Sequence, residues 1–207
     1  RRLPPGQRDV DLRHRVDIAL SGKRDGALRL IQESARRLMP REGREREGRN
    51  ETPDIARTGA LLALAYPDRI GRRRPGTAGR YLLSGGRGAA LPEGDPMATE
   101  EFLVVADLDG SAQDSRIFLA APIALDDIEE LYAERIVNEE IVRWSERDGA
   151  VLARRRRRLG ALVLEDKPLG RPDRDAVRRA MLDGVRQLGL AALPWTDELT
   201  TWRHRVA

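Results

Sequence analysis

Between residues 9 and 39, hydrophobic side chains recur at a spacing of three to four residues. This pattern predicts two helices, at 9–20 and 25–39, with Asp25 as an N-cap and Pro40 as a stop. The next segment, 41–53, alternates charged residues with glycine and contains no large apolar side chain. Because it has nothing to bury, we predict a flexible linker there.

After this segment the pattern changes from helical to β-like. A nearly continuous apolar stretch at 54–66 predicts a helix that is apolar over most of its circumference and buried tightly against its neighbours, ended by Pro67. A basic segment at 69–80 follows. Short apolar runs separated by glycine turns then predict strands at 81–83, 87–91, 102–108 and 116–121, and a short helix is predicted near 125–132. Such short strands favour a small barrel over a layered α/β sheet.

The last third of the chain contains a second set of strand signals. Residues 135–145 alternate between the two faces of a strand, and Asp148-Gly149 is a hairpin signal, followed by a strand from Ala150. Five arginines, 154–158, precede a predicted strand at 159–164. We interpret them as charges that protect an edge strand, although some could contact a partner. Val177, Met181 and Val185 predict a final helix at 172–188.

Composition excludes several classes of site. The chain has no cysteine, which excludes disulfides, cysteine-ligated metals and thiol nucleophiles. His14 and His204 are its only histidines and lie at opposite ends, so we expect neither a metal site nor a Ser-His-Asp triad. No apolar run approaches the roughly 20 residues of a membrane helix, and no signal peptide opens the chain. We therefore expect a soluble, cytoplasmic protein, and the start at Arg1 suggests a piece of a longer one.

Two motifs suggest phosphate chemistry, but their surroundings do not support it. The apolar strand that ends in Asp107-Leu-Asp109-Gly-Ser resembles the first motif of haloacid-dehalogenase-type phosphatases, whose nucleophile is the first aspartate. That family's later acidic pair is missing here, so an Asp-Gly turn is the favoured interpretation. Residues 84–88 are glycine-rich but lack the lysine of a phosphate-binding loop, which favours a hairpin turn.

Arginine is the remaining functional signal. All but two of the 38 basic residues are arginines, and 34 acidic residues leave a net charge of only +4. A nucleic-acid-binding surface must therefore be local. Arginines beside an aromatic ring suit a single-stranded backbone with a stacked base, although a solvated loop paired with acidic residues is an equally open alternative. The candidate residues surround the first predicted hairpin and are Arg72, Arg73, Arg74, Arg80, Tyr81 and Arg87.

Several separate stretches, taken in order, point to one family. They are 61–70 (LLALAYPDRI), 79–91 (GRYLLSGGRGAAL), 103–109 (LVVADLD), 140–145 (EIVRWS), 159–164 (LGALVL) and 193–197 (LPWTD). Together they resemble the HrpB type of bacterial DEAH-box ATP-dependent RNA helicases. The resemblance covers roughly residues 54–207 well and the first 40 more weakly.

The resemblance implies where the chain belongs in such a helicase. In that family two RecA-like motor domains bind ATP and RNA, and a helical region, an OB-like barrel and a family-specific C-terminal region follow them. It implies that this chain is the part after the motors. ATP and Mg²⁺ are then expected in the motor domains, with no cofactor and no ATPase residue here.

We therefore predict an α+β fold with short N-terminal helices, a small OB-like antiparallel barrel, and a second β-rich C-terminal unit ending in a helix. The predicted divisions are a helical segment (1–40), a linker (41–53), a buried helix plus barrel (54–133) and the HrpB-type C-terminal unit (134–207). The predicted function is an accessory one: binding single-stranded RNA, or packing on and regulating the motor domains. The alternative is a protein-docking module that recruits a partner through the region after Tyr132 and does not bind nucleic acid.

Overall fold

The computed structural model describes residues 9–21, 26–38, 54–110, 114–189 and 193–206. The chain divides into two compact units. The first comprises Arg1–Ile136 together with Leu159–Leu162, and the second comprises Val137–Arg158 together with Val163–Ala207. The linker predicted at 41–53, the predicted cap Asp25 and the predicted stop Pro40 lie outside the described residues.

Two helices precede the barrel in the first unit, α1 (Leu12–Leu20) and α2 (Gly26–Leu38). Helix α1 begins later than predicted because Asp11 is its N-cap and accepts a hydrogen bond from the backbone N–H of Arg13 at 2.9 Å. The residue before the cap pairs with the barrel instead. The carbonyl of Val10 accepts the N–H of Ala120 at 2.9 Å, and the Val10 side chain is part of the barrel core.

Five strands close a barrel in this unit: β1 (Ile70–Arg73), β2 (Arg80–Leu83), β3 (Gly88–Ala90), β4 (Phe102–Leu108) and β5 (Asp114–Pro122). Their order around the barrel is β1-β2-β3-β5-β4, with β3 parallel to β5 and the other pairs antiparallel. The predicted OB-like barrel is confirmed. Strand β1 was missed because only Ile70 among its four residues has a large apolar side chain.

Helix α3 (Thr58–Ala65) packs against β4 and β5 through its small residues. A Cβ on Gly59 would lie 1.9 Å from the carbonyl oxygen of Pro122, so only glycine allows this approach. Ala63 is fully buried, whereas Leu61 is 67% and Leu64 59% exposed. The helix is therefore buried tightly against the barrel through its small residues, whereas the side that carries Leu61 and Leu64 is exposed. After β5, helix α4 (Leu125–Leu131) completes the unit, as predicted.

The second unit contains a three-stranded sheet with the order β6-β7-β8, formed by β6 (Ile136–Ser145), β7 (Ala150–Leu159) and β8 (Leu162–Pro168). The predicted hairpin at Asp148-Gly149 is confirmed, and Gly149 has a positive φ of 58°. Helix α5 (Arg174–Leu188) matches the predicted helix, whereas α6 (Asp197–Val206) was not predicted. Gly184 of α5 packs against the ring of Trp144, since a Cβ there would lie 2.4 Å from Trp144 Cδ2.

The five consecutive arginines lie in β7, which is the central strand of its sheet. The interpretation of an edge strand protected by charge is therefore wrong. Neighbouring strands supply carboxylates instead: Arg154 and Arg156 donate to Asp166 of β8 at 2.6 and 3.0 Å, and Arg158 donates to Glu139 of β6 at 3.2 Å. The hydrogen bond from Arg154 lowers the pKa of Asp166 below its ordinary value. Cross-strand pairs of opposite charge make this strand compatible with a central position.

Within the described part of the chain, no helix combines the length and apolar character that crossing a membrane requires.

Candidate nucleic-acid interface

Four arginines, carried by β1, the residue after it, β2 and β5, project from the outer surface of the barrel, and we term this surface the arginine face. Arg74 follows β1 and donates its backbone N–H to the carbonyl of Arg80 at 2.8 Å. Across the next two strand pairs, Arg80 is opposite Ala90, and Ala90 is opposite Arg116. One row of the barrel surface thus runs from Arg74 through Arg80 to Arg116. The arginine face consists of Arg72, Arg74, Arg80 and Arg116.

Strand β3 forms a low floor between the arginines. Its outward positions are Gly88 and Ala90, which carry the smallest side chains. Arg80 and Arg116 lie on the strands either side of it, so their backbones are separated by two strand spacings, about 10 Å. Guanidinium groups therefore flank a strand with small side chains, an arrangement that suits an extended polyanionic backbone.

Two carboxylates lie among the four arginines. Arg80 Nη1 donates to Asp114 Oδ2 at 3.0 Å, and Arg74 Nη2 lies 3.9 Å from Asp114 Oδ1. Arg72 Nη2 donates to Glu101 at 3.0 Å, and its Cζ lies 5.5 Å from the centroid of the Phe102 ring. The side chains of Arg74 and Arg80 are 45% and 58% exposed. The surface therefore retains a positive excess, and its guanidinium groups are accessible to a ligand.

Tyr81 is not part of this surface, and its predicted role in base stacking is wrong. Its side chain is fully buried in the barrel core, where the hydroxyl donates towards the carbonyls of Met97 (2.9 Å) and Glu100 (3.0 Å). An aromatic residue that the sequence reasoning missed lies on the outer surface instead. Phe118 of β5 is half-buried, with Arg116 Cζ 5.9 Å from its ring centroid. Because side chains alternate along a strand, the order Arg116, Ile117, Phe118 in the sequence indicates that Phe118 lies on the same face as Arg116.

Two of the predicted arginines lie away from the arginine face. Arg73 alternates with Arg72 on β1 and is opposite the buried Tyr81, and its Nε is buried with no hydrogen-bond partner among the described residues. Arg87 is exposed in the turn between β2 and β3, at the opposite end of β2 from Arg80. The structure thus brings together Arg72, Arg74 and Arg80 from the predicted set and adds Arg116.

We expect Tyr81→Phe to lower the free energy of unfolding by about 1–2 kcal/mol at neutral pH, because two buried carbonyls lose their shared donor. Burial raises the pKa of Tyr81 from 10.0 to about 12 in the folded chain. The unfolded state therefore releases this proton first, and wild-type stability falls as the pH rises from about 10 to about 12. Urea unfolding at neutral and alkaline pH measures both effects. Equal alkaline losses in the wild type and Tyr81→Phe would contradict this assignment.

Of the two other motifs, the glycine-rich one is a turn, as favoured. Asp109 follows β4, and its side chain accepts the backbone N–H of Arg116 at 2.9 Å. Residues 111–113, with Ser111, lie outside the described residues. Among the residues that the structure describes, no three His, Cys, Asp or Glu side chains are grouped to hold a metal ion. Ser84 begins the β2–β3 turn and donates its hydroxyl to the carbonyl of Pro67 at 2.7 Å.

Comparison with known proteins finds similarity to one family of helicases. Residues 135–169, which contain the three-stranded sheet, match the family model for the connector region of ATP-dependent RNA helicase HrpB. The chain is 34% identical over 205 residues to the ATP-dependent RNA helicase HrpB of Escherichia coli K12, which covers 98% of the chain and 24% of that protein.

Solved structures agree with the sequence matches. The crystal structure of the E. coli DExH-box NTPase HrpB aligns with a TM-score of 0.61 and 32% identity, covering 94% of this chain and 23% of that one. A second crystal structure, of the E. coli DEAH/RHA helicase HrpB, aligns with a TM-score of 0.59 and 29% identity over 95% of this chain and 23% of that one. The chain spans about a quarter of the length of these proteins, and it resembles the C-terminal region of HrpB helicases.

Proposed function

We propose that this chain is an accessory region of an ATP-dependent RNA helicase and that it binds single-stranded RNA along the arginine face. The observation that carries the proposal is the row of Arg74, Arg80 and Arg116 across a floor of small residues. The surface of an OB-like barrel around β2 and β3 is the usual place for oligonucleotides on this fold. The matched relative is described as an RNA helicase.

The chemistry of the face favours binding without a strong preference for base sequence. Guanidinium groups contact phosphates, which every nucleotide carries, and the half-buried ring of Phe118 lies beside Arg116 on the same surface. Binding of this kind weakens steeply as salt rises, because each phosphate contact releases counterions from the RNA. In this proposal the chain itself uses no cofactor, and ATP and Mg²⁺ bind elsewhere in the helicase.

A pair of single substitutions tests the location of the site. Arg80→Ala is expected to weaken binding of a single-stranded RNA about fivefold, since one exposed charge contact contributes on the order of 1 kcal/mol. Arg87→Ala removes the same charge from an exposed turn at the other end of β2 and is expected to change the affinity less than twofold. Fluorescence anisotropy with a labelled RNA of about 12 nucleotides, within the site size of an OB fold, measures both.

Equal losses in the two variants would show that only net charge matters and would contradict the arginine face as the site. Absence of binding by the wild type even at low salt would contradict RNA binding as the function of this chain.

A second function, docking on other parts of the helicase, is supported by exposed apolar side chains. Leu61 and Leu64 of α3 lie one helical turn apart and are 67% and 59% exposed. Isolated exposed leucines are ordinary, but here three-quarters of the matched relative lies outside the region this chain covers. We infer that this side of α3 packs against the motor domains. If the wild type binds no RNA, docking becomes the favoured function.

A further inference from the structure

We propose that Asp114 controls access to the arginine face by competing with RNA phosphates for Arg74 and Arg80. The inference rests on the proposed function and adds to it an internal competitor that selects against small anions. It follows from the position of one carboxylate between two arginines that the RNA would also need.

The geometry makes Asp114 a bridge between the two side chains. Its Oδ2 accepts from Arg80 Nη1 at 3.0 Å, whereas its Oδ1 lies 3.9 Å from Arg74 Nη2. Asp114 is on β5, and Arg80 is on β2 beyond the intervening strand β3. The residue opposite Asp114 on β3 is Gly88, so no side chain blocks the carboxylate from leaning across that strand.

A carboxylate and a phosphate present similar oxygens to a guanidinium group, so one replaces the other in a charge-assisted hydrogen bond. The Asp114 side chain is 32% exposed, and displacing it requires no unfolding of the barrel. When a phosphate binds Arg74 or Arg80, the existing contact of that arginine with Asp114 is lost. The net free energy of each such RNA contact is therefore smaller. A ligand with a single phosphate gains little from this exchange, whereas a chain that reaches Arg74, Arg80 and Arg116 together gains a contact at Arg116 as well. Asp114 thus lowers affinity and favours extended polyanions.

The test compares Asp114→Asn with Asp107→Asn, which also removes one negative charge. Asp107 is exposed on β4 and has no ion-pair partner among the described residues. We expect Asp114→Asn to tighten binding of a uridine RNA of about 12 nucleotides about fivefold in anisotropy titrations. Asp107→Asn should change the affinity less than twofold.

A double-mutant cycle separates competition from a general change in charge. In the wild type, the hydrogen bond between Arg80 and Asp114 breaks when RNA binds, which reduces the net contribution of Arg80 to the binding free energy. Arg80→Ala therefore removes only this reduced contribution. In the Asp114→Asn background that reduction is absent, and Arg80→Ala should therefore reduce affinity severalfold more than it does in the wild type.

The outcomes distinguish this inference from the function on which it rests. If RNA binds the wild type but Asp114→Asn binds no tighter than Asp107→Asn, or if the Arg80 and Asp114 effects are additive, the competitor role is wrong while RNA binding stands. If neither the wild type nor Asp114→Asn binds RNA at low salt, the proposed function itself is wrong. Tighter binding together with a non-additive cycle supports both.

Discussion

Replacing Arg74, Arg80 and Arg116 together by alanine is expected to lower the affinity of this chain for single-stranded RNA roughly 100-fold at moderate salt. The three side chains occupy one row that begins just after β1 and crosses β2, β3 and β5, so one extended backbone can contact all of them. Each contact is assigned about 1 kcal/mol, and a loss of about 3 kcal/mol corresponds to that factor. The slope of log affinity against log salt should also fall by about 2, since three phosphates lose their partners.

The matched control is Arg174→Ala, Arg178→Ala and Arg186→Ala in α5. These arginines are exposed on a helix of the second unit, and two of them form only i,i+3 pairs with Asp175 and Asp183. The control removes the same charge, and alanine is well tolerated in a helix. If it weakens RNA binding as much as the triple variant of the arginine face, the barrel is not the binding surface. An unchanged salt slope in the barrel variant would contradict phosphate contacts by these residues.

The second large effect is structural. Gly59→Ala is expected to destabilise the first unit by about 3 kcal/mol, at the upper end of the usual cost of overpacking. The new Cβ would lie 1.9 Å from the Pro122 carbonyl oxygen and 2.8 Å from its carbon, both backbone atoms of β5. Helix α3 must therefore move away from the barrel, which opens the contacts of Ala60 and Ala63. Thermal unfolding followed by circular dichroism should show a midpoint lower by on the order of 10 °C.

Two features of the chain make this measurement specific. Gly26→Ala is the same change at the start of α2, where no atom lies within 4 Å of the new Cβ, so its effect should be below about 1 kcal/mol and stabilising. All three tryptophans, Trp144, Trp195 and Trp202, belong to the second unit. Tryptophan fluorescence thus reports the second unit, while circular dichroism reports both. Equal midpoints for Gly59→Ala and Gly26→Ala would show that α3 does not pack on β5 as described.

Helix α3 shows how far apolar periodicity could predict packing. The stretch at 54–66 is apolar on nearly every side, which predicted a helix but gave no direction for its buried face. The structure buries Gly59, Ala60 and Ala63 and leaves Leu61 and Leu64 exposed. Small residues face the barrel because close approach to the β5 backbone leaves no room for a larger side chain. That distance depends on β5, which is about 60 residues away in the chain, so the residue pattern within 54–66 could not predict it.

The candidate site was only partly predictable for a related reason. A cluster of arginines around the first hairpin was visible from the residues, but the strand β1 within it was not. Alternation along β1 turns Arg72 outward and places Arg73 opposite the buried Tyr81. The neighbours that complete the surface, Asp114 and Arg116, enter through the parallel pairing of β3 with β5. Such a pairing joins segments that are distant in sequence and has no turn signal to reveal it.

Most of the helices and strands, the turns at Ser84 and Gly149, the α+β class and the likeness to HrpB helicases could be predicted from local sequence. Those features depend on periodicity, turn chemistry and ordered motifs, all of which lie within short stretches of chain. Which side chains share a surface depends on the tertiary structure. Closure of the barrel buried Tyr81, set Arg87 apart, and brought Asp114 and Arg116 beside Arg80, because strand register and the order of strands around the barrel come from long-range pairing.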